Sequence, residues 1–463
     1  MMKMLPLFLI VGLLCGCTSI RPTDPFASVN VRGISSLGVD VVHKPQGIPK
    51  GPLTLQQAIE TALANNPEVA ARGWDRSAAQ ARQDQAFGAR LPQVGIVAGY
   101  AHTLDEQRLI SASKDGESGL FSRDTISSDL VVSIPLYTGG RLVNQVKAAD
   151  LRSLAAEHHL SRSREELIFN VSSVFNSILA QKHVIGSLEF SRKTLTEHVS
   201  RIDALIAAQK AAKVDRMRTE VRLADVEQQL VREKNLQSIQ HRALSNLLGL
   251  RNFKEISFQG ELEMQETMVL PELEAALSTA WEGRGDYLAA RSSLEAQAKN
   301  VDAAKSGHLP ALSVQGAYGG RWAAGPATGT GHGQEDTGRI GLVLEVPIFK
   351  GGQVDADIRK QRADLAAAQE RLRLLDLQVR LEVETALLNV ESSGERAAAI
   401  RKSIAQAKES LRIEQQKYNL GKGAIVDVLD AQAALLDSET TYYRVLAECH
   451  TAVAQLKSAM GAE

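Results

Sequence analysis

The sequence predicts a mainly α-helical chain with a β component, built as two copies of one unit. Three observations predict it: two long proline-free tracts of helix formers, four stretches of apolar–polar alternation, and an internal repeat that joins them. Lys and Arg number 53 against 54 Asp and Glu in 463 residues, which excludes a polybasic nucleic-acid binder and an acidic solvating tail. Aromatic residues make up only 4% of the chain, too few for large globular cores and suited to Ala- and Leu-rich helices packed at close range.

Residues 1–16 have the form of a secretory signal. Lys3 precedes an apolar run from Leu5 to Leu14 that is too short to span a bilayer as a helix. Leu14, Gly16 and Cys17 then resemble the lipobox of bacterial lipoproteins. That resemblance implies acylation of Cys17 as the first mature residue, an anchor that holds a protein at a membrane without spanning it. Thr18 after it resembles lipoproteins sent to the outer membrane; the alternative is a plain signal peptide with incidental cysteines. Residues 17–52 carry Pro22, Pro25, Pro45, Pro49 and Pro52, five of thirteen prolines, and read as an extended tether.

The repeat organises the rest, with a first unit over 53–270 and a second over 271–463. Leu55, Ala62, Ala78, Leu91, Pro92 and Tyr100 recur 218 positions later as Leu273, Ala280, Ala296, Leu309, Pro310 and Tyr318. Beyond a loop between Tyr100 and Leu130 the offset is 212: Leu130, Pro135, Gly139 and Gly140 match Leu342, Pro347, Gly351 and Gly352, and Asp215 matches Asp427. Duplication on this scale implies one order of parts in each half: helix, strand, loop, strand, long helix, turn, helix.

A helix from about Leu55 to Arg90 is opened by Thr54, a good N-cap. The strands follow from period-two alternation. Val94, Ile96, Ala98 and Tyr100 face one way, as do Ile126, Leu130, Val132 and Ile134; their counterparts are Leu312, Val314 and Tyr318, then Ile340, Leu342, Leu344 and Ile348. Each run is about ten residues, the length of a tilted transmembrane strand, with Tyr137 and Phe349 where interfacial aromatics sit. No proline interrupts Leu136 to Leu270 or Ile348 to Glu463, so long helices follow, the first running roughly 70 residues or about 100 Å.

From Leu365 onward two apolar seams run along one helix: Leu365, Leu372, Leu375, Val379 and Ala386, and, two positions on, Ala367, Leu374, Leu377, Leu381 and Leu388. Two positions are about 200° of rotation, so the seams lie on opposite sides with polar faces between them. Such a helix is a stave with a neighbour on each side, and the seven-residue spacing predicts coiled-coil packing. Backbone in hydrocarbon must be fully paired, so the strands must close into a barrel, which four cannot do. Copies must therefore associate, giving eight strands as a dimer or twelve as a trimer.

This order of parts resembles the TolC-like outer-membrane efflux protein family from Leu53 to Gly461, most specifically from Leu53 to Pro67 and from Tyr418 to Ala431. The resemblance implies a homotrimer with a twelve-stranded outer-membrane barrel continued by a helical coiled-coil barrel across the periplasm. It implies passive efflux through that duct, and partnership with a periplasmic adaptor and an inner-membrane pump. It also implies that Asp427 and Asp430 form rings at a narrow periplasmic entrance held shut with the help of Tyr418, with Asp215 as a latch to Tyr418. Read from the residues alone, the two aspartates are equally an acidic first turn complementing a helix dipole. Gly421 and Gly423 mark the turn before them; Gly423 stands where the best-known members carry an arginine, with Lys422 as a substitute. The first half has Lys210, Ala211 and Ala212 there, and a differently shaped turn is expected.

Other chemistry is thin. The glycine-rich run 325–333 lacks a P-loop ending and reads as a flexible external loop, and His158 and His159 point to different helix faces. No enzyme activity, cofactor or metal is expected. The alternatives are the outer channel of a type I protein-secretion system and, in another class, a periplasmic coiled-coil adaptor or scaffold.

Overall fold

The structure, a computed structural model, describes residues 51–112, 116–250, 257–263, 270–330 and 334–462. Cys17, the signal segment and nearly all of the tether lie outside the described residues. In chain order the elements are α1 (Leu55–Asn65), α2 (Pro67–Gly88), β1 (Gln93–Arg108), β2 (Leu120–Tyr137), α3 (Arg141–Ala207) and α4 (Lys213–Leu247). The second half adds α5 (Leu273–Gly283), α6 (Gly285–Lys305), β3 (Ala311–Ala323), β4 (Ala327–Gly329), β5 (Gln334–Glu345), α7 (Gln353–Asn419) and α8 (Ile425–Met460).

Thr54 caps α1 as its sequence predicts: its hydroxyl accepts from the Gln57 N–H, and the Gln57 side chain accepts from the Thr54 N–H. The expected single helix to Arg90 is instead two. Asn66 takes an extended ψ of 125°, which the proline after it favours, and its amide oxygen accepts from the Glu68 and Val69 N–H groups to start α2 with Pro67 at its first position. The second half breaks likewise at Arg284.

The long helices α3 and α7 are both 67 residues and start 212 positions apart. Each is entered through a left-handed glycine, Gly140 at φ 86° and Gly352 at φ 77°, a conformation only glycine adopts freely. Around the helical wall α3 packs against α4 on one side and α8 on the other, and α8 packs against α7. Nearer the sheet the order is α2, α3, α6, α7. One seam of α7 is buried by these neighbours, with Val379, Val383 and Ala386 fully covered. The other keeps Leu374, Leu377, Leu381 and Leu388 more than half exposed. Two further cores brace the wall. Phe175, Ile178 and Leu179 of α3 meet Ala58 and Ala62 of α1 and Leu446 of α8; below them Leu188, Leu195 and Ile202 meet Val226, Leu230 and Val428. Burying such a side chain contributes about 1.5–3 kcal/mol.

The sheet runs β1-β2-β3-β5, all antiparallel, and among the described residues its two outer long strands are unpaired on one edge each. The expected faces hold: Ile96, Leu130 and Tyr318 lie in register, as do Val94, Val132, Gly316 and Ile340. On the opposite face Asp129 and Arg321 form a two-pronged ion pair, both contacts 2.9 Å. Strands exceed the expected ten residues, at 16 and 18 for β1 and β2, because pairing continues through polar stretches where alternation fades. In the second half β5 stops at Glu345, short of Ile348. The run 325–333 is not wholly loop, since β4 within it pairs with β2.

Candidate functional site

The end of the wall farthest from the sheet is made by two helical turns, one joining α3 to α4 and one joining α7 to α8. The expectation of different shapes is overturned. In the second turn Gly421 adopts φ 70°, and the Lys422 N–H donates to Lys417 O at 2.9 Å. In the first, 212 positions earlier, Gln209 adopts φ 59° and the Lys210 N–H donates to Leu205 O at 2.8 Å. Among the described residues Gln209 is the one non-glycine in the left-handed region, at a cost of about 1–2 kcal/mol. The backbone solution is shared although the sequence lacks the glycine.

Asp215 and Asp427 occupy equivalent third positions of α4 and α8. The carboxylate of each accepts the N–H at the head of its own helix, Ala212 at 3.4 Å and Ala424 at 3.3 Å. Alanine has no acceptor to return the bond, so each aspartate caps its helix one way and also sits at the positive end of its dipole. This is the bland reading of the acidic turn, and Asp427 fulfils it while remaining exposed. Asp430 does not: it reaches out of α8 to Arg222 of α4, 3.2 Å away. Val428 and Leu429 are buried between the two aspartates, so α8 turns both carboxylates away from its packed side.

Tyr418, at the last turn of α7, packs against the lower core beside Ile425 and Val428. Burial pushes its phenol up, the Asp215 charge adds to the shift, and Arg201 opposes it. Asp215 is thus a neighbour of Tyr418, but among the described residues no hydrogen bond joins them. The tie at this corner is another one: Arg201 of α3 donates to the Asn419 side chain at 3.2 Å. Gly423 lies against α7, where a Cβ would come within 3.0 Å of Lys417 Cβ and 3.2 Å of the Tyr418 nitrogen. Lys422 is exposed and, among the described residues, makes no ion pair.

Asp430, Asp437, Arg444 and Thr451 recur every seven residues beside Asp427, Ala434, Thr441 and Glu448, so two columns run straight along the open face of α8. Arg444 meets the largely buried Glu233 of α4 at 3.0 Å, and Gln181 donates to the same carboxylate at 2.7 Å. Arg222, Arg201 and Glu233 were not singled out by sequence reasoning. Their partners are roughly 50 to more than 200 residues away, and only the seven-residue spacing of charge along α8 hints at them. Among the described residues no group of three or more His, Cys, Asp and Glu is placed to hold a metal, and no helix is long and apolar enough to cross a membrane.

A sheet with one apolar face, long staves in a single wall, and a far end closed by paired turns describe a duct. The profile of the outer membrane efflux protein family matches residues 58–250 and 276–462, one stretch in each repeat. The chain belongs to that family. It is similar to the outer membrane protein TolC of Vibrio cholerae, 24% identical over 88% of this chain and 90% of that one. It is also similar to the cobalt-zinc-cadmium resistance protein CzcC of Cupriavidus metallidurans, 23% identical over 89% and 90%. The solved outer-membrane channel OprN shares the fold, with a TM-score of 0.75 at 19% identity, covering 94% of this chain and 97% of that one. The outer membrane efflux protein described here is thus a TolC-like channel of the outer membrane, a barrel continued by a helical duct.

Proposed function

We propose that three copies of this efflux protein form the exit duct of a tripartite export system. It passes small molecules or ions passively from an inner-membrane pump and a periplasmic adaptor to the exterior. The observation that carries the reading is the pair of open edges. Among the described residues β1 and β5 each leave one side unpaired, and α7 leaves a leucine column uncovered on the same flank as β5. The repeat supplies the closure. Inside the chain β2 pairs with β3, setting Leu130 opposite Tyr318. Their repeat counterparts are Leu342 on β5 and Tyr100 on β1, the two free edges, so the same register recurs between copies and leaves no strand open.

Asp427 and Asp430 form the narrow periplasmic entrance, with Tyr418 and its neighbour Asp215 at the contact that keeps it shut. Rings of carboxylates there attract cations and repel anions. Opening splays the turns apart, a switch biased by the adaptor and pump. Cys17 carries the acyl chains that add a second hold on the outer membrane. The test is single-channel current across a planar bilayer from the purified full chain. Cation-selective steps are expected, and Asp427→Ala with Asp430→Ala should raise conductance and lower cation selectivity. Unchanged selectivity in that double variant would sink the gate assignment. Mass spectrometry of the mature N-terminus, with Cys17→Ser as control, tests the anchor.

A further inference from the structure

α4 and α8 flank α3 without packing closely on each other, and two arginine–carboxylate pairs reach across the groove between them. Leu188, Ser191 and Leu195 of α3 lie in that groove. At its inner end Arg444 of α8 pairs with Glu233 of α4, whose side chain is 10% exposed and held in addition by Gln181. At the entrance end the polarity reverses: Arg222 of α4 pairs with Asp430 of α8, at 47% and 62% side-chain exposure. The arginines are about equally exposed, but the carboxylate of the first bridge is buried and braced by Gln181, while that of the second stands in water. Only the second is weak enough to be made and broken as the helices move.

The repeat shows that this pair is no inherited part of the wall. The positions equivalent to Arg222 and Asp430 in the other halves are Ala434 and Arg218, which form no such pair. Nor does another cation serve. Among the described residues Arg222 is the one basic side chain ion-paired to either Asp427 or Asp430. The turn offers Gly423, where a side chain has little room, and Lys422, which makes no ion pair among the described residues.

We propose that Arg222 is the closing residue of the entrance, clasping Asp430 in the shut duct and masking half of the carboxylate charge there. The inference rests on the gate reading above and assigns it a mechanism in this chain. While the clasp holds, α8 is tied to α4 and each copy presents only Asp427 uncompensated. When α8 swings away, the clasp breaks and Asp430 joins the ring. Opening and cation preference therefore rise together. An exposed pair biases an equilibrium by about 1.4- to 5-fold, and three copies opening together compound this to about 3- to 100-fold.

The experiment is conductance and reversal potential of the full-length trimer in a planar bilayer under a KCl gradient. Arg222→Gln and Asp430→Asn should both raise the open fraction, within the 3- to 100-fold range. Their selectivities should move in opposite directions: Arg222→Gln towards cations, Asp430→Asn away from them. Arg222→Lys should stay near the parent. The exchanged pair Arg222→Asp with Asp430→Arg should return the duct to its quiet state. A quiet Arg222→Gln channel, or an exchanged pair as leaky as the single variants, overturns the clasp while leaving the gate in place if Asp430→Asn still shifts selectivity. If neither aspartate affects selectivity, the gate reading itself fails. Should Arg222→Gln not assemble, Arg222→Met keeps the aliphatic stem and is read the same way.

Discussion

The two halves of the chain meet the same backbone demand with different chemistry, and their helix breaks show it best. Asn66 and Arg284 stand 218 positions apart with nearly the same backbone, φ and ψ of −67° and 125° against −73° and 119°. Each sends a side-chain nitrogen to a carbonyl near the end of the last helix of its half, Asn66 to Leu247 at 3.0 Å and Arg284 to Ala459 at 3.4 Å. A neutral amide completes the first junction. The second buries a guanidinium to 2% exposure and must compensate it, with Asp286 at 2.8 and 2.9 Å and Glu382 in contact. Arg162, Glu165 and Glu166 extend the network along α3. Duplication fixed where a donor was needed and left open which one.

The sharpest way to break that comparison is to remove each donor. Arg284→Met takes the guanidinium from Asp286 and from the half-exposed Glu382, leaving Arg162, 3.7 Å away, as the cation beside Asp286. Losing a hydrogen bond to a charged group costs about 1.5–3 kcal/mol. Asn66→Ala gives up a cap and one hydrogen bond, about 1–2 kcal/mol. Denaturant unfolding of the detergent-solubilised protein should rank them in that order. Equal losses would mean that the buried charge adds nothing beyond the bond it shares with Asn66.

The second contrast lies on the staves. Position 165 of α3 is Glu, inside the charged junction; its counterpart on α7 is Leu377, 58% exposed. The same register that is charged within the chain is apolar where the neighbouring copy is expected. Leu377→Glu or Leu381→Glu should weaken assembly by about 1.5–3 kcal/mol per copy, the value of one buried leucine. Sedimentation in detergent would show protomers accumulating at dilution. The closing strands offer a finer check. In a Cys449→Ser background, Tyr100→Cys with Leu342→Cys should cross-link between copies, and Tyr100→Cys with Val343→Cys should not. The reverse pattern would shift the seam by one residue and turn every side chain of β5 to the other face.

Much of this was legible in the sequence, for identifiable reasons. The cap at Thr54, the faces of the four long strands and the two seams of α7 are set by local pattern, and the structure has them where alternation and the 3.6-residue period put them. The break at Asn66 was legible too, since Pro67 follows it, but the helix period continues across the break and conceals it. What could not be read depends on distance. Arg222 and Asp430 are 208 residues apart, Arg201 and Asn419 218, and nothing local distinguishes Arg222 from the other basic residues of α4. The first turn misled in the other direction. Without glycine it looked free to differ, yet the packing of equal-length helices on either side imposes the same path on Gln209.

That turn yields the third test. Gln209→Gly should stabilise the end of the α3–α4 pair by about 1 kcal/mol, and Gly421→Gln should weaken the α7–α8 end by about 1–2 kcal/mol. Hydrogen exchange of the amides flanking each turn would report both locally. If Gly421→Gln instead leaves exchange unchanged, the two turns bear the left-handed residue equally well, and glycine is there for another reason.

The smallest expected effect separates the two carboxylates that face the buried arginines. Burial pushes the Glu165 carboxyl up, opposed by the charge and hydrogen bond of Arg162. Burial acts on Asp286 in the same sense, but the hydrogen bonds and charge of Arg284, with Arg162 beyond, outweigh it and hold Asp286 below the usual carboxylate range. The signs are therefore opposite. For Glu165 the folded state binds its proton more tightly than the unfolded chain, so its contribution is complete below the ordinary glutamate value and lost as pH rises through the folded one. For Asp286 the contribution is complete above the ordinary aspartate value and lost as pH falls through the depressed one. The His159 imidazole, pushed down by desolvation and by the Arg72 charge, adds its own slope, so the readout is the difference between variant and parent, in which that slope cancels. Glu165→Gln should be more stable than the parent at neutral pH and lose that advantage on acidification. Asp286→Asn should be less stable at neutral pH and converge with the parent only in stronger acid. Parallel difference curves for the two variants would show that the second junction treats its carboxylates alike, and that the buried guanidinium does not organise the charges around it.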